Sequence, residues 1–239
     1  MPLPTMDADT THRKYRAIAN SIVDKLFFYE TDSKHWKCIT SEDNFSMHVT
    51  QSDEFDGILV KVECIMDFPP HKIVEMSLDF EWLKTFEERI IVMEVAEKID
   101  EELQIFHLIS GDFLFGLISS REFVSLFGVR HLPDKNAILI YNRSVDHPDY
   151  PEVNDRVRGH MYSSGKYYYS IEGEPNKTRF VEFTQTDVKM SIPNFLLEQL
   201  APKFAKHNLE KLTTHANERL KREVALKEDS TAESEESNQ

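Results

Sequence analysis

The densest grouping of residues able to do chemistry is Asp146-His147-Pro148-Asp149, whose carboxylates and imidazole could hold a metal or share acid–base work. Its neighbours argue for something plainer. The stretch down to Pro151 reads as a rigid, proline-rich loop between strands. The ten histidines are otherwise scattered singly, and no two have the i, i+4 spacing of H-E-x-x-H. Seven glycines include no G-x-G-x-x-G, no Walker A loop and no G-x-S-x-G elbow. Two cysteines, Cys38 and Cys64, cannot build a thiolate zinc site by themselves, and both fall in apolar runs that predict buried free thiols. No nucleophile–base pair is legible, so neither an enzyme nor a cofactor is expected.

One segment does not read as ordinary connection. In Ile109-Ser-Gly-Asp-Phe-Leu-Phe-Gly-Leu-Ile-Ser-Ser120, Gly111 and Gly116 bracket Phe113, Leu114 and Phe115, with Leu117 and Ile118 following. Loops run over surfaces, so five large apolar residues in one require a partner. Either this is a longer core strand, or it is a loop resting on another element from which it can part to press on a bilayer. At about 1.5–3 kcal/mol per buried large side chain, two or three inserted residues support reversible contact and not anchoring.

The elements that must position this segment follow from periodicity. Tyr15, Ile18, Ile22, Leu26 and Tyr29 recur at three and four, an amphipathic helix over 10–30. Strands are expected at 35–39, 45–49 and 58–66, helices within 71–86, and strands again at 90–95, 103–109, 123–129, 137–142, 157–162 and 179–186. Ser164-Gly165 reads as a turn. Ser191-Ile-Pro193 opens a long helix to about Val224, with Ser191 as its cap. The order predicts an α+β protein: nine antiparallel strands whose concave face only the last helix can cover, around a solid core or a cavity. From Lys227 on, no apolar group larger than Ala remains, and 226–239 is expected to be a disordered acidic tail.

Charge narrows the function classes. The net charge is −14 over 239 residues, −5 of it in Glu228–Gln239. With no basic run longer than Arg219-Leu-Lys-Arg222, nucleic acid is not an expected partner. No apolar run reaches 18 residues and the start has neither a basic nor an apolar leader region, so a cytoplasmic protein is expected.

Ser120-Arg-Glu-Phe-Val124 resembles the S-R-[DE]-F-V signature of the START lipid-transfer domains. Collinear with it are Trp36-Lys37, Trp82, Ser144-Val-Asp-His-Pro148 with Pro151, Val157-Arg-Gly159, Gly173-Glu-Pro-Asn-Lys-Thr178, Gln185-Thr-Asp187 and Ile192-Pro193. The match spans about 10–222 and is most like the small, single-domain subfamily. The resemblance implies a helix-grip fold, a curved nine-stranded antiparallel sheet around a long C-terminal helix, with one lipid in an internal cavity. It makes 10–225 the lipid-binding domain, 110–120 the omega loop at the cavity mouth, and the last helix the lid. It implies that Trp82, Phe113, Leu114, Phe115, Leu196, Leu200 and Phe204 lie at the gate or cavity wall, with Arg121 and Arg158 as ligand contacts or structural ion-pair partners. Where the family's best-known sterol binders place a buried Arg this chain has Phe127, and the position of their acidic partner falls near Leu108. The expectation is a monomeric carrier of one lipid, whether sterol, bile acid or phospholipid, making transient membrane contact. The alternative is a lipid-responsive adaptor for a protein partner.

Overall fold

The structure, a computed structural model, describes residues 8–32 and 35–236. Helix α1 (Ala8–Thr31) leads into strands β1 (Lys37–Glu42), β2 (Phe45–Gln51) and β3 (Ile58–Met66). Pro69-Pro70 ends β3 and starts α2 (Pro70–Leu78), with Pro70 in the first turn, where a missing N–H costs nothing. Asp79 then breaks the helix: its carboxylate accepts from the Trp82 N–H and caps α3 (Phe80–Lys84). There follow β4 (Ile90–Lys98), β5 (Leu103–Ser110), β6 (Glu122–Leu132), β7 (Ala137–Ser144), β8 (His160–Met161), β9 (Ser164–Ile171), β10 (Glu174–Thr184), β11 (Thr186–Asp187) and α4 (Asn194–Glu236).

Nine strands form one antiparallel sheet in the order β1-β2-β3-β10-β9-β7-β6-β5-β4, and β8 pairs with β11 in a two-stranded annex. The expected count in the main sheet holds, but one member was misassigned. Residues 157–162 contribute only β8, because Val157 and Gly159 bond to the backbone of Glu122 in a loop crossing. The ninth strand is β9, whose Ser164-Gly165 is not a turn. A Cβ at 165 would lie 2.5 Å from Leu26 Cδ1 and 3.1 Å from the Ile140 carbonyl, so Gly165 lets α1 press against the sheet. Ladder register shifts at Cys38/Thr40 on β1, at Ile90/Val92 and Val95/Glu97 on β4, and at Glu174/Thr178 on β10. Cys38, expected buried, is exposed because β1 is an edge strand; Cys64 is buried as expected.

Alternation divides the sheet into two faces. On the outer face α1 sets Ile22, Val23 and Leu26 against Leu126, Leu139, Tyr167 and Phe183, all 2 % exposed or less. On the inner face α2 and α4 cover Met47, Val62, Tyr168 and Phe180. One register line crosses that face from β2 to β6: Met47, Val62, Glu182, Lys166, Ile140, Val129. Two charges thus stand in the middle of an otherwise apolar row.

Helix α4 opens at Asn194, not at Ser191: the Pro193 carbonyl accepts from the Leu196 and Leu197 N–H groups, so the first turn forms after the proline. It runs through Pro202 and past Val224 to Glu236, so 226–236 continues as helix where an irregular tail was expected; beyond Pro202 no Pro or Gly interrupts an Ala-, Glu- and Lys-rich stretch of good helix formers. Residues 237–239 of that expected tail lie outside the described residues.

Candidate functional site

Between the inner face, α2 and α3 lies a cavity of about 310 Å³. Its apolar end is aromatic: Phe80, Phe106 and Phe127 meet edge to face, with centroids 4.7–5.9 Å apart. Leu108 and Phe127 both line it, so the two positions discussed for a buried charge pair form an apolar wall. Its polar end is set by Lys166 and Glu182, with Asn142, Ser125 and Thr184 also on the lining. Lys166 Nζ stands 3.6 Å from Glu182 Oε1, and that carboxylate holds the ammonium above the ordinary lysine range. These residues were not singled out from the sequence: Lys166 follows Ser164-Gly165, which reads as a turn, and lies outside the expected strands, so nothing set it beside Glu182.

A wider cleft of about 840 Å³ adjoins at Thr184 and is roofed by Ile118, Leu197 and Ala201. Here the loop 111–120 meets the start of α4. Leu114 and Ile118 are buried with Val188, and Phe113, Leu197, Leu200 and Phe204 pack against them. Phe113 and Ile118 exchange backbone hydrogen bonds of 2.8 and 3.1 Å, closing a small hairpin. Its tip takes three consecutive positive φ values: Leu114 52°, Phe115 57° and Gly116 80°. For residues other than glycine this conformation costs roughly 1–2 kcal/mol each, which the burial of Leu114 offsets. The turn holds Phe115 outward, 59 % exposed, its ring edge-on to Phe204 at 5.9 Å.

Arg121 anchors the base of this loop. Buried, it donates from Nε to the Val188 carbonyl at 2.7 Å and from a terminal nitrogen to the Ser119 carbonyl and hydroxyl, each at 2.8 Å. Its donors are directed at the protein's own backbone, which fits a structural clamp and not a ligand contact. Arg158 is structural too, on the opposite face: it pairs with Glu122 at 3.0 Å, and Glu122 also receives His107 at 2.8 Å. Burial alone would raise the Glu122 carboxyl, but hydrogen bonds from His107 and Arg158 and their charge carry it below its ordinary range.

The remaining expected residues sit on or beside α4. Leu200 and Phe204 join the loop cluster; Leu197 packs there instead of Leu196, one residue around the helix. Trp82 lies farther along, half-buried, with the Arg219 guanidinium 5.3 Å over its ring. Arg89 was not foreseen: its guanidinium lies 4.8 Å over Phe204 and donates to Asn208 at 2.8 Å, while its carbonyl accepts from Gly111, tying α4 to the loop base. Among the described residues of α4 only Ala216 is fully buried; Leu209, Leu212 and Leu220 pack half-buried on the inner face, and surface ion pairs such as Lys37–Glu198 and Asp79–Arg219 add to that hold. Such pairs are worth about 0–1 kcal/mol each, so the half-buried apolar face of the helix does most of the holding. Among the described residues no group of three or more His, Cys, Asp or Glu is placed to hold a metal, and no helix is long and apolar enough to cross a membrane.

Comparison with known proteins agrees with this geometry. The START domain model matches residues 28–218. Human StAR-related lipid transfer protein 6 is 26% identical over 188 residues, covering 79% of this chain and 85% of that protein. StAR-related lipid transfer protein 5 of Bos taurus is 28% identical over 192 residues, covering 78% and 88%. The solved structure of human StAR-related lipid transfer protein 5 matches with a TM-score of 0.77 at 21% identity, covering 86% of this chain and 98% of that one, which establishes a common fold.

Proposed function

This chain belongs to the START domain family, and from that premise we propose that it is a cytoplasmic carrier that takes one hydrophobic ligand, a sterol or related lipid, into its inner-face cavity and transfers it between membranes. The cavity of about 310 Å³ carries the reading: it lies at the lower end of the size range of ligand pockets, is largely apolar under α2 and α3, and adjoins at Thr184 the cleft that α4 roofs. The relatives are named as lipid transfer proteins, which supports the same reading.

No covalent step is required of such a carrier. Its barrier is the exposure of apolar surface to water while cargo crosses from bilayer to protein. Parting the 111–120 loop from α4 at the Phe115–Phe204 contact, with Phe115 in the bilayer, lets cargo pass from one apolar medium to another. Leu114, Leu200 and Phe204 then form the gate, and Phe127 the far wall.

The test is native mass spectrometry of the purified protein after incubation with mixed-lipid vesicles. A stoichiometric adduct of one lipid class is expected, identified after release. A folded protein that takes up no lipid from any mixture overturns the reading.

A further inference from the structure

Resting on the carrier reading, we propose that Lys166 and Glu182 are the recognition point for a neutral hydroxyl group on the cargo, so that the cavity selects lipid alcohols over their anionic esters. The two residues face each other across β9 and β10 on the inner face, and both line the cavity. At 3.6 Å they are close enough to share charge but beyond hydrogen-bonding distance, and among the described residues neither has another ion-pair partner. Each therefore enters the cavity with hydrogen-bonding capacity unspent. The Lys166 side chain is 47 % exposed and Glu182 26 %, and a charge that a ligand takes out of water is costly unless hydrogen-bonded, so the pair gains most from a group that serves both at once.

A hydroxyl does this. Its oxygen, about 2.8 Å from each side chain, accepts from the ammonium and donates to the carboxylate without altering the net charge. A ketone or ester carbonyl only accepts and leaves Glu182 unserved. A sulfate, phosphate or carboxylate competes with Glu182 for the one ammonium and sets two anions together in a cavity of low dielectric. The rest of the cavity fixes the ligand's direction. Phe106 and Leu108 on β5 stand four strands from Glu182 on β10, about 19 Å at the usual strand spacing. The hydroxyl end lies toward β10 and the apolar body toward β5.

The experiment offers the full chain vesicles carrying equal amounts of cholesterol and cholesteryl sulfate, or of hexadecanol and hexadecyl sulfate, and reads the bound masses by native mass spectrometry. The expected result is at least a tenfold preference for the alcohol within each pair that binds. In the Lys166→Met, Glu182→Leu double variant, which removes both charges together, that preference falls to less than twofold while binding persists. The exchanged pair, Lys166→Glu with Glu182→Lys, restores it, since a hydroxyl serves either arrangement; this variant keeps the question decidable if the apolar one does not fold. Equal uptake of alcohol and sulfate by the native protein, or an undiminished preference in the double variant, overturns the inference and leaves the carrier reading intact. No uptake of any of the four lipids overturns the inference, and the mixed-lipid experiment then decides the carrier reading by itself.

Discussion

On the outer face of the sheet, α1 drives Ile22 and Leu26 into a layer with Leu139, Tyr167 and Phe183 in which nothing is more than 1 % exposed. On the inner face, α4 contributes one fully buried residue among those described, Ala216, and beside it the sheet keeps an open cavity with a charge pair on its wall. The strands are common to both faces. One set of alternate residues is committed to holding the fold together, and the other is freed to hold something else. The ion pairs divide the same way: on the outer face Glu122 is enclosed by His107 and Arg158, whereas on the inner face Lys166 and Glu182 have only each other.

The largest effect should come from removing volume on each face in turn. Leu26→Ala should lower the unfolding free energy by about 2–5 kcal/mol, because close packing around it relaxes only partly. Leu108→Ala, which widens a space already open, should cost less than half as much. Urea midpoints at constant m-value measure both, and equal losses would erase the contrast. Next is Phe115→Asp at the gate. It should slow transfer between vesicles about tenfold, some 1.4 kcal/mol in barrier height, with the melting temperature unchanged. A native transfer rate in this variant would take the loop out of the mechanism.

The smallest effect is on acid stability. The Glu122 carboxyl is depressed in the folded state, so its contribution is complete above its unfolded value of about 4.3 and drains away as pH falls through the lower folded value. Glu122→Gln should therefore flatten the acid limb of the stability curve below about pH 4 and leave its slope above neutrality unaltered. An acid limb of native steepness would mean that the Glu122 cluster does not govern this region.

Much of this contrast is legible in the sequence. Alternation in 58–66 and the three-and-four spacing of α1 give the elements and their buried stripes, and the glycine-bracketed Phe113-Leu-Phe115 marks the loop. What misleads is a residue chosen for a neighbour far along the chain. Gly165 imitates a turn because it answers to Leu26, and Val157-Arg-Gly159 imitates a strand because it answers to Glu122. The charged cavity wall is hidden for a related reason. A Lys in a half-polar strand is ordinarily solvated, and only the pairing of β9 between β7 and β10 turns Lys166 inward. Arg158 shows the reverse, a family position whose partner, Glu122, assigns it to the structural face.

An open sheet of nine strands has two unpaired borders, β1 and β4, and each is a template on which another copy could grow by adding a strand. Both borders carry register shifts, at Cys38/Thr40 and at Ile90/Val92 and Val95/Glu97, and both carry charge, at Lys37 and Glu42 on one and Glu94, Glu97 and Lys98 on the other. A bulge throws the row of amides and carbonyls out of step with any straight newcomer, and a charge must be desolvated before one can dock. The irregularities at the margins therefore act as terminators of polymer growth, a safeguard for a chain that leaves Ile91 and Val95 uncovered on its outermost strand.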